Sequence, residues 1–189
     1  MFHWTDILGL AYLGFELFVL ATRRGKVKAK AKSVDRGTIR AAWALILGSC
    51  IVGFFLSRHI TVLNWPPHSA VIIGVAVLLL VGGVALRVWA IRRLGIFFTV
   101  AVGIQHGHRV IQDGPYRFVR HPSYTGSLIA LTGVGFLTFN WLGLILIVSC
   151  TLLAYALRIS VEEKALLAEF GSEYQEYAAR TKRLIPAVY

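Results

Sequence analysis

Acidic residues are scarce in this sequence. Asp and Glu number 9 against 20 Lys and Arg among 189 residues, and charged side chains of both signs make up only 15% of the chain. Soluble domains carry about 25% charged residues. Apolar residues reach 57%, with a mean hydropathy of +0.67. These values exclude a secreted mini-protein, a coiled coil and a disordered tail, and they predict an integral membrane protein.

Cysteine is nearly absent too. Cys50 and Cys150 each lie inside an apolar run without a CxxC spacing, which excludes a disulfide framework and a cysteine zinc site. His106 and His108 form a His-x-His pair without an acid or cysteine at ligand spacing, so no metal is expected. The N-terminal MFHWTD lacks a basic stretch. We therefore interpret the first apolar run as a retained span rather than a signal peptide.

Long apolar segments define the architecture. Spans are predicted at roughly 5–22, 41–57, 69–91, 125–139 and 141–158. The fourth is short and is expected to pair with the fifth as a tilted hairpin that turns at Asn140–Gly143. The sequence thus predicts an all-α integral membrane protein with about five transmembrane helices. Residues 1–189 form one domain, with three spans in 1–91 and a motif region, the hairpin and a C-terminal helix in 92–189.

The basic residues predict how these spans are oriented. They concentrate in loops 23–40 and 92–124, whereas loop 58–68 contains only Arg58. By the positive-inside rule, both basic loops and the C-terminus face the cytosol and the N-terminus faces out. We also expect loop 23–40 to attract anionic lipid. Because topology accounts for the charge, nucleic acid is not expected as a partner.

Residues 95–126 are too polar and too long for a plain turn, and long structured loops usually carry function. Asp113–Pro115 predicts a tight turn, and Pro122 suits the first turn of a helix. The backbone amides of Ser123 and Tyr124 would then be free at a helix N-terminus. Such a terminus favours a carboxylate or another anion.

Residues 158–183 are predicted to continue the fifth span into a soluble or interfacial helix. An apolar stripe recurs there at helical spacing; its members are Leu166, Phe170, Tyr174 and Tyr177. Lys plus Arg and Asp plus Glu number five each over 158–189. This balance favours docking over the protein's own basic loops rather than on anionic lipid.

The string GHRVIQDGPYRFVRHPSYTG at 107–126, followed after one helical hairpin by RISVEEKALLAEFGSEYQEY at 158–177, resembles the isoprenylcysteine carboxyl methyltransferase family and its phospholipid methyltransferase relatives. The resemblance covers about residues 95–186. It implies an integral membrane enzyme that takes S-adenosylmethionine from the cytosol and methylates a lipophilic acceptor reached from the bilayer.

The resemblance also implies roles for individual residues. Arg158 is the catalytic residue and is directed at the carboxylate of the substrate. The cofactor-binding residues implied are His108, Arg109, Val110, Ile111, Tyr116, His121, Pro122, Ser123, Tyr124 and Glu162. This set suits the cofactor's chemistry: Glu162 for its ammonium, the amides of Ser123 and Tyr124 for its carboxylate, and the ring of Tyr116 or Tyr124 for its sulfonium.

Two other functions remain open. A nicotinamide-dependent reductase acting on a sterol-like lipid would share the RHPxYxG portion, although the Glu162-Glu163 helix argues against it. A non-catalytic membrane protein would bind lipid or a partner through the basic loop. For the methyltransferase, Arg158 favours a carboxylate acceptor, with a phospholipid amine or a small amphiphile as alternatives.

Some residues have simpler interpretations. Glu162 and Glu163 would be ordinary solvated helix residues, with Arg158 and Glu162 a plain i, i+4 pair. Arg117 is interpreted as a topology charge, and the role of Arg120 stays open.

Three features inside the spans also need an account. Glu16 and Arg87 are ionisable groups within apolar runs, which marks them as functional candidates; they either pair with each other, or Arg87 snorkels to the cytosolic end. Gly133–Gly135 is expected to allow close helix packing rather than to bind a dinucleotide. Residues 97–99 either line a substrate entrance or belong to an interfacial aromatic belt.

Overall fold

The computed structural model describes residues 4–24, 37–66, 69–98 and 109–186. Within them the protein is helical, and its only β contacts there are two isolated bridges. The helices are α1 (Trp4–Arg24), α2 (Thr38–His59), α3 (Ala70–Leu94), α4 (Pro122–Leu137), α5 (Trp141–Phe170) and α6 (Ser172–Arg180). Single 3-10 turns lie at Thr61–Leu63, Gly95–Phe97 and Gly114–Arg117. Each predicted span coincides with a helix, which confirms the all-α class.

Among the described residues, three stretches are long and apolar enough to cross a bilayer: Thr38–His59, Ala70–Phe97 and Trp141–Phe170. Helix α1 has a shorter apolar stretch, and α4, with 16 residues, is about 24 Å long at 1.5 Å per residue. Large apolar side chains cover the outside of the bundle; Phe55, Leu78 and Leu153 are each more than half exposed. Such a surface suits a hydrocarbon environment, and the protein is an integral membrane protein.

The two loops at one end of the bundle are joined through Asn140, which is fully buried. Its amide nitrogen donates to the carbonyl of Ile60 at 2.9 Å and to Oδ1 of Asn64 at 2.6 Å, while its Oδ1 accepts from the amide of Gly143. Asn140 therefore caps α5 and fixes the α4–α5 hairpin. The predicted hairpin is confirmed, but the chain reverses at residues 138–140, and Gly143 already lies within α5.

Helices α3 and α4 approach each other through glycines. A Cβ added to Gly83 would lie 2.4 Å from the carbonyl oxygen of Gly126, and one added to Gly126 would lie 2.6 Å from that of Gly83. At Gly133 the added Cβ would lie 2.7 Å from the carbonyl oxygen of Ala76. Small residues let helix backbones approach closely in membranes. The packing role predicted for Gly133 is confirmed.

Helix α5 carries the site beyond the membrane. Its 30 residues extend about 45 Å, longer than a hydrocarbon core of about 30 Å. The helix ends where Gly171 adopts a φ of +52°, a conformation that glycine adopts without steric cost. The predicted continuation of the fifth span is therefore confirmed as far as Phe170, but the remainder differs: α6 (Ser172–Arg180) is a separate helix, and the apolar stripe is split at Gly171.

The glycine contact generates a stability prediction. We expect Gly83→Ala to lower the thermal midpoint, because the new methyl group meets the α4 backbone; overpacking costs about 1–3 kcal/mol. Gly82→Ala is the matched control, since a Cβ there meets no described atom within 4 Å. Thermal unfolding in one detergent checks both. Equal midpoints for the two variants would contradict the close approach.

Candidate functional site

The motif segment between α3 and α4 is a compact turn. Gly114 has a φ of +58° and begins the 3-10 turn, and Pro122 occupies the first turn of α4; both features were predicted. The amide of Tyr124 donates to the carbonyl of His121 at 3.0 Å. The prediction that this amide is free is therefore wrong, because the first turn of α4 closes on His121 as a tight i, i+3 bond.

The C-terminal strap, residues 181–185, is hydrogen-bonded to this turn and to the start of α4. The amide of Arg120 donates to the carbonyl of Lys182 at 2.7 Å, and the amide of His121 to that of Arg183 at 3.0 Å. The Thr125 hydroxyl donates to the carbonyl of Leu184 at 2.8 Å, and Leu184 is 1% exposed. This strap is not predicted from the sequence. Its one signal is the apolar Leu184-Ile185 pair after a polar helix.

Glu163 binds the strap and the turn to α5. Its Oε1 accepts from Nε of Arg120 at 2.7 Å and lies 3.4 Å from Nε2 of His121, while its Oε2 accepts from Arg183 at 2.9 Å. The Glu163 side chain is 14% exposed and that of Arg120 11%. The solvated-helix interpretation is therefore wrong for Glu163. Arg120, which also donates to the carbonyl of Ala178 at 2.8 Å, has a structural role.

Glu162, the adjacent acid, shares His121 with Glu163 but bonds to Tyr124 instead of Arg120 and Arg183. It accepts a hydrogen bond from the Tyr124 hydroxyl at 2.9 Å and lies 4.0 Å from Nδ1 of His121, with 30% of its side chain exposed. The Tyr124 ring stacks with the rings of His121 and Tyr155, at 5.7 and 4.8 Å between centroids. An accessible carboxylate thus lies beside aromatic faces, the pair of features that a cation needs.

Helix α6 docks on the turn. The Tyr177 hydroxyl donates to the carbonyl of Tyr116 at 2.7 Å, and the Tyr116 hydroxyl donates to that of Ala90 in α3 at 3.4 Å. Burial raises the pKa of Tyr116 and of Tyr177, so both phenols stay protonated and donating at neutral pH. The predicted docking on the protein's own loop is confirmed.

The remaining predicted residues are less closely gathered. Arg109, Val110 and Ile111 form an irregular stretch before the turn, where Arg109 is exposed and the two apolar residues are half-buried. The turn itself is clamped to α3 by Arg93, whose hydrogen bonds lower the pKa of Asp113.

His106, His108 and residues 25–36 of the basic loop lie outside the described residues. In the described part of the chain, no three His, Cys, Asp or Glu residues gather as a metal site would require.

A partly open cleft lies beside this turn, between α1, α2 and the α3–α5 core. One wall is apolar and includes Leu13, Trp43 and Ile46; the other includes Tyr124 and Arg158. Arg158 is 3% exposed, and its Nη1 lies 3.4 Å from the Thr38 hydroxyl. The cleft thus joins an apolar surface to a buried cation. Tyr124 belongs both to this cleft and to the Glu162 cluster.

The two ionisable groups inside the spans lie at the base of the cleft. Nη2 of Arg87 is 2.7 Å from Oε2 of Glu16, and the two residues are 8% and 5% exposed. The predicted pairing is confirmed. The alternative in which Arg87 snorkels to the membrane surface is wrong, because its guanidinium turns inward to α1 and α4.

Comparison with known proteins agrees with this geometry. Residues 75–168 match the model of the isoprenylcysteine carboxyl methyltransferase (ICMT) family. The protein-S-isoprenylcysteine O-methyltransferase of Saccharomyces cerevisiae is 26% identical over 187 residues, which cover 96% of this chain and 78% of the yeast protein. The Arabidopsis thaliana protein-S-isoprenylcysteine O-methyltransferase B is 35% identical over 108 residues, 56% of this chain and 55% of that protein.

The fold has a solved counterpart. The structure of the eukaryotic intramembrane Ras methyltransferase ICMT aligns with a TM-score of 0.64 at 24% identity, covering 77% of this chain. The present chain spans 52% of that protein. At this identity, the alignment supports a shared helical fold.

The two adjacent glutamates generate a prediction. We expect Glu163→Gln to lower stability by about 3 kcal/mol, because it leaves the half-buried Arg120 without its carboxylate partner. Thermal unfolding measures the loss, and limited proteolysis locates it at the strap. Glu169→Gln, at an exposed position of α5, is the control. An unchanged midpoint for Glu163→Gln would show that Glu163 does not hold the turn.

Proposed function

Because residues 75–168 match the model of the isoprenylcysteine carboxyl methyltransferase family, we propose that this chain belongs to that family and is a membrane methyltransferase that transfers a methyl group from S-adenosylmethionine to the carboxylate of a prenylated cysteine. The observation that carries the proposal is the position of Tyr124. This residue joins the Glu162 carboxylate to a cleft that contains Arg158.

The residues around Glu162 fit the donor. S-adenosylmethionine, when bound, supplies a methyl group on a sulfonium. Glu162 would hold the donor's ammonium, and the rings of Tyr124 and Tyr116 would lie near its sulfonium. The proposed binding set also includes His108, Arg109, Val110, Ile111, His121, Pro122 and Ser123. The Tyr124 amide is already bonded to His121. The Ser123 amide is therefore the backbone group assigned to the carboxylate of S-adenosylmethionine.

The cleft fits the acceptor. Its apolar wall would pack against the isoprenyl chain, and Arg158, at the cytosolic end proposed for α5, would hold the acceptor carboxylate through its planar fork of donors. A carboxylate attacks a methyl sulfonium without a general base. The site therefore has to position the two groups and exclude water, and the burial of Arg158 supports both tasks.

The topology is part of the proposal. All five long helices cross the membrane, with residues 1–91 forming three spans and residues 92–189 the catalytic part. The start of α2, the turn before α4 and the strap occupy one end of the bundle. We assign this end to the cytosol, place the N-terminus outside, and keep anionic lipid as the partner of loop 23–40.

Donor binding tests the proposal. We expect S-adenosylhomocysteine to bind the detergent-purified protein with micromolar affinity and Glu162→Ala to weaken this binding at least tenfold, because the ammonium loses a charged hydrogen-bond partner worth about 1.5–3 kcal/mol. Calorimetry measures both, with Glu169→Ala as control. Binding of NADPH instead would favour the reductase. Binding of neither would leave the non-catalytic alternative.

Arg158 is tested separately. We expect Arg158→Lys to raise the KM for N-acetyl-S-farnesylcysteine about tenfold, since lysine keeps the charge but loses the bidentate contact. The affinity for S-adenosylhomocysteine should stay unchanged. Initial rates at saturating donor give the KM. A weaker donor affinity with an unchanged acceptor KM would assign Arg158 to the donor site.

A further inference from the structure

Helix α1 forms a wall of the cleft but is weakly held by packing. It contacts chiefly α4, and its residues Leu10, Leu17 and Phe18 are more than half exposed. In lipid, apolar surface alone does not fix where one helix lies against another. Because Leu13 of α1 lines the cleft, the position of α1 sets the width of the space available to an acceptor chain.

A buried polar anchor lies on the same face of α1. Oε2 of Glu16 pairs with Arg87 at 2.7 Å, and Oε1 accepts from the Tyr12 hydroxyl at 2.6 Å and from the Ser127 hydroxyl at 3.3 Å. Glu16, Tyr12 and Arg87 all line the cleft. A charge at this depth is expensive unless it is paired, so the ion pair holds α1 to α3 at one defined position.

The other end of the anchor reaches the donor side. Nη1 of Arg87 donates both to the carbonyl and to the hydroxyl of Ser123, at 3.0 Å each. Ser123 lies in the first turn of α4, which the proposed function assigns to the donor. A second link runs from Ser127 to the Tyr155 hydroxyl at 2.6 Å. The Glu16–Arg87 pair therefore connects α1, which forms one wall of the cleft, to the first turn of α4.

We propose that Glu16 is a positioning residue that sets the width of the acceptor cleft and thereby the preferred acceptor chain length. This inference rests on the proposed function, because it concerns the acceptor of that reaction. Glu16 holds α1 through Arg87, so Leu13 packs against the bound chain without a further ordering cost. When the anchor is shortened or lost, the acceptor must order α1 itself, and its affinity falls. The proposed donor site includes no residue of α1, and Arg87 keeps its bonds to Ser123, so the donor affinity is expected to stay unchanged.

The experiment compares Glu16→Gln and Glu16→Asp in the full-length protein in nanodiscs. Gln removes the charge. Asp keeps the charge for the ion pair, which favours folding, and shortens the side chain by one methylene. Steady-state rates with N-acetyl-S-farnesylcysteine and N-acetyl-S-geranylgeranylcysteine give kcat and KM for each chain length. Calorimetry with S-adenosylhomocysteine gives the donor affinity. Glu169→Gln and Glu169→Asp, which change the same side chain at an exposed position of α5, are the matched controls.

We expect Glu16→Gln to raise the acceptor KM about tenfold, with the donor affinity within twofold of wild type, since the ordering cost falls on acceptor binding alone. Glu16→Asp should change the ratio of kcat/KM between the two chain lengths at least threefold. An unchanged ratio, a loss of donor affinity in step with the acceptor KM, or failure of both variants to fold would assign the pair to stability and overturn the inference. A wild-type protein that neither binds donor nor methylates would instead refute the proposed function.

Discussion

The ion pair between Arg120 and Glu163 is the contact on which the arrangement of the candidate site depends. Together with the bond from Arg183 to Glu163, it joins the turn before α4, the C-terminal part of α5 and the C-terminal strap. Residues 118–121 of the turn and the strap lie outside the helices and are joined by backbone hydrogen bonds from Arg120 to Lys182 and from His121 to Arg183. Because the pair is largely shielded from water, its loss leaves an uncompensated charge, which costs far more than an exposed pair would. The neighbouring Glu162 is thereby fixed in orientation while staying accessible to a ligand.

The bundle separates polar and apolar tasks along its length. Glycine contacts between α3 and α4 and the Asn140 network at the far end provide a rigid frame. The helices α1 and α2 complete the cleft with apolar side chains. A lipophilic acceptor needs a surface of this kind in continuity with the bilayer, and a charged donor needs a polar site in continuity with water. Tyr124 lies where the two environments meet.

Much of this could be predicted from the sequence, because bilayer thickness and hydropathy fix the spans and because Gly114 and Pro122 act through local backbone preferences. The features that were missed depend on contacts distant in sequence. The strap pairs residues about 60 positions apart. The break at Gly171 was obscured by an apolar stripe with helical spacing on both sides of it. The bond from the Tyr124 amide to His121 depends on the tight i, i+3 geometry of the first turn of α4, which the sequence does not indicate. Glu16 and Arg87 are recognisable in the sequence as ionisable groups within apolar runs, but their partners in α4 follow from the packing.

In the function proposed above, Glu162 and Tyr124 hold a methyl donor at the mouth of the acceptor cleft. The most direct test is an experimental structure of the protein in lipid nanodiscs with S-adenosylhomocysteine bound. We predict that the ligand lies beside α4, with its ammonium within hydrogen-bond distance of the Glu162 carboxylate and its sulfur directed at the cleft between Tyr124 and Arg158. A ligand bound elsewhere, with the Glu162–Tyr124 hydrogen bond unchanged and the cleft separated from it, would contradict the account.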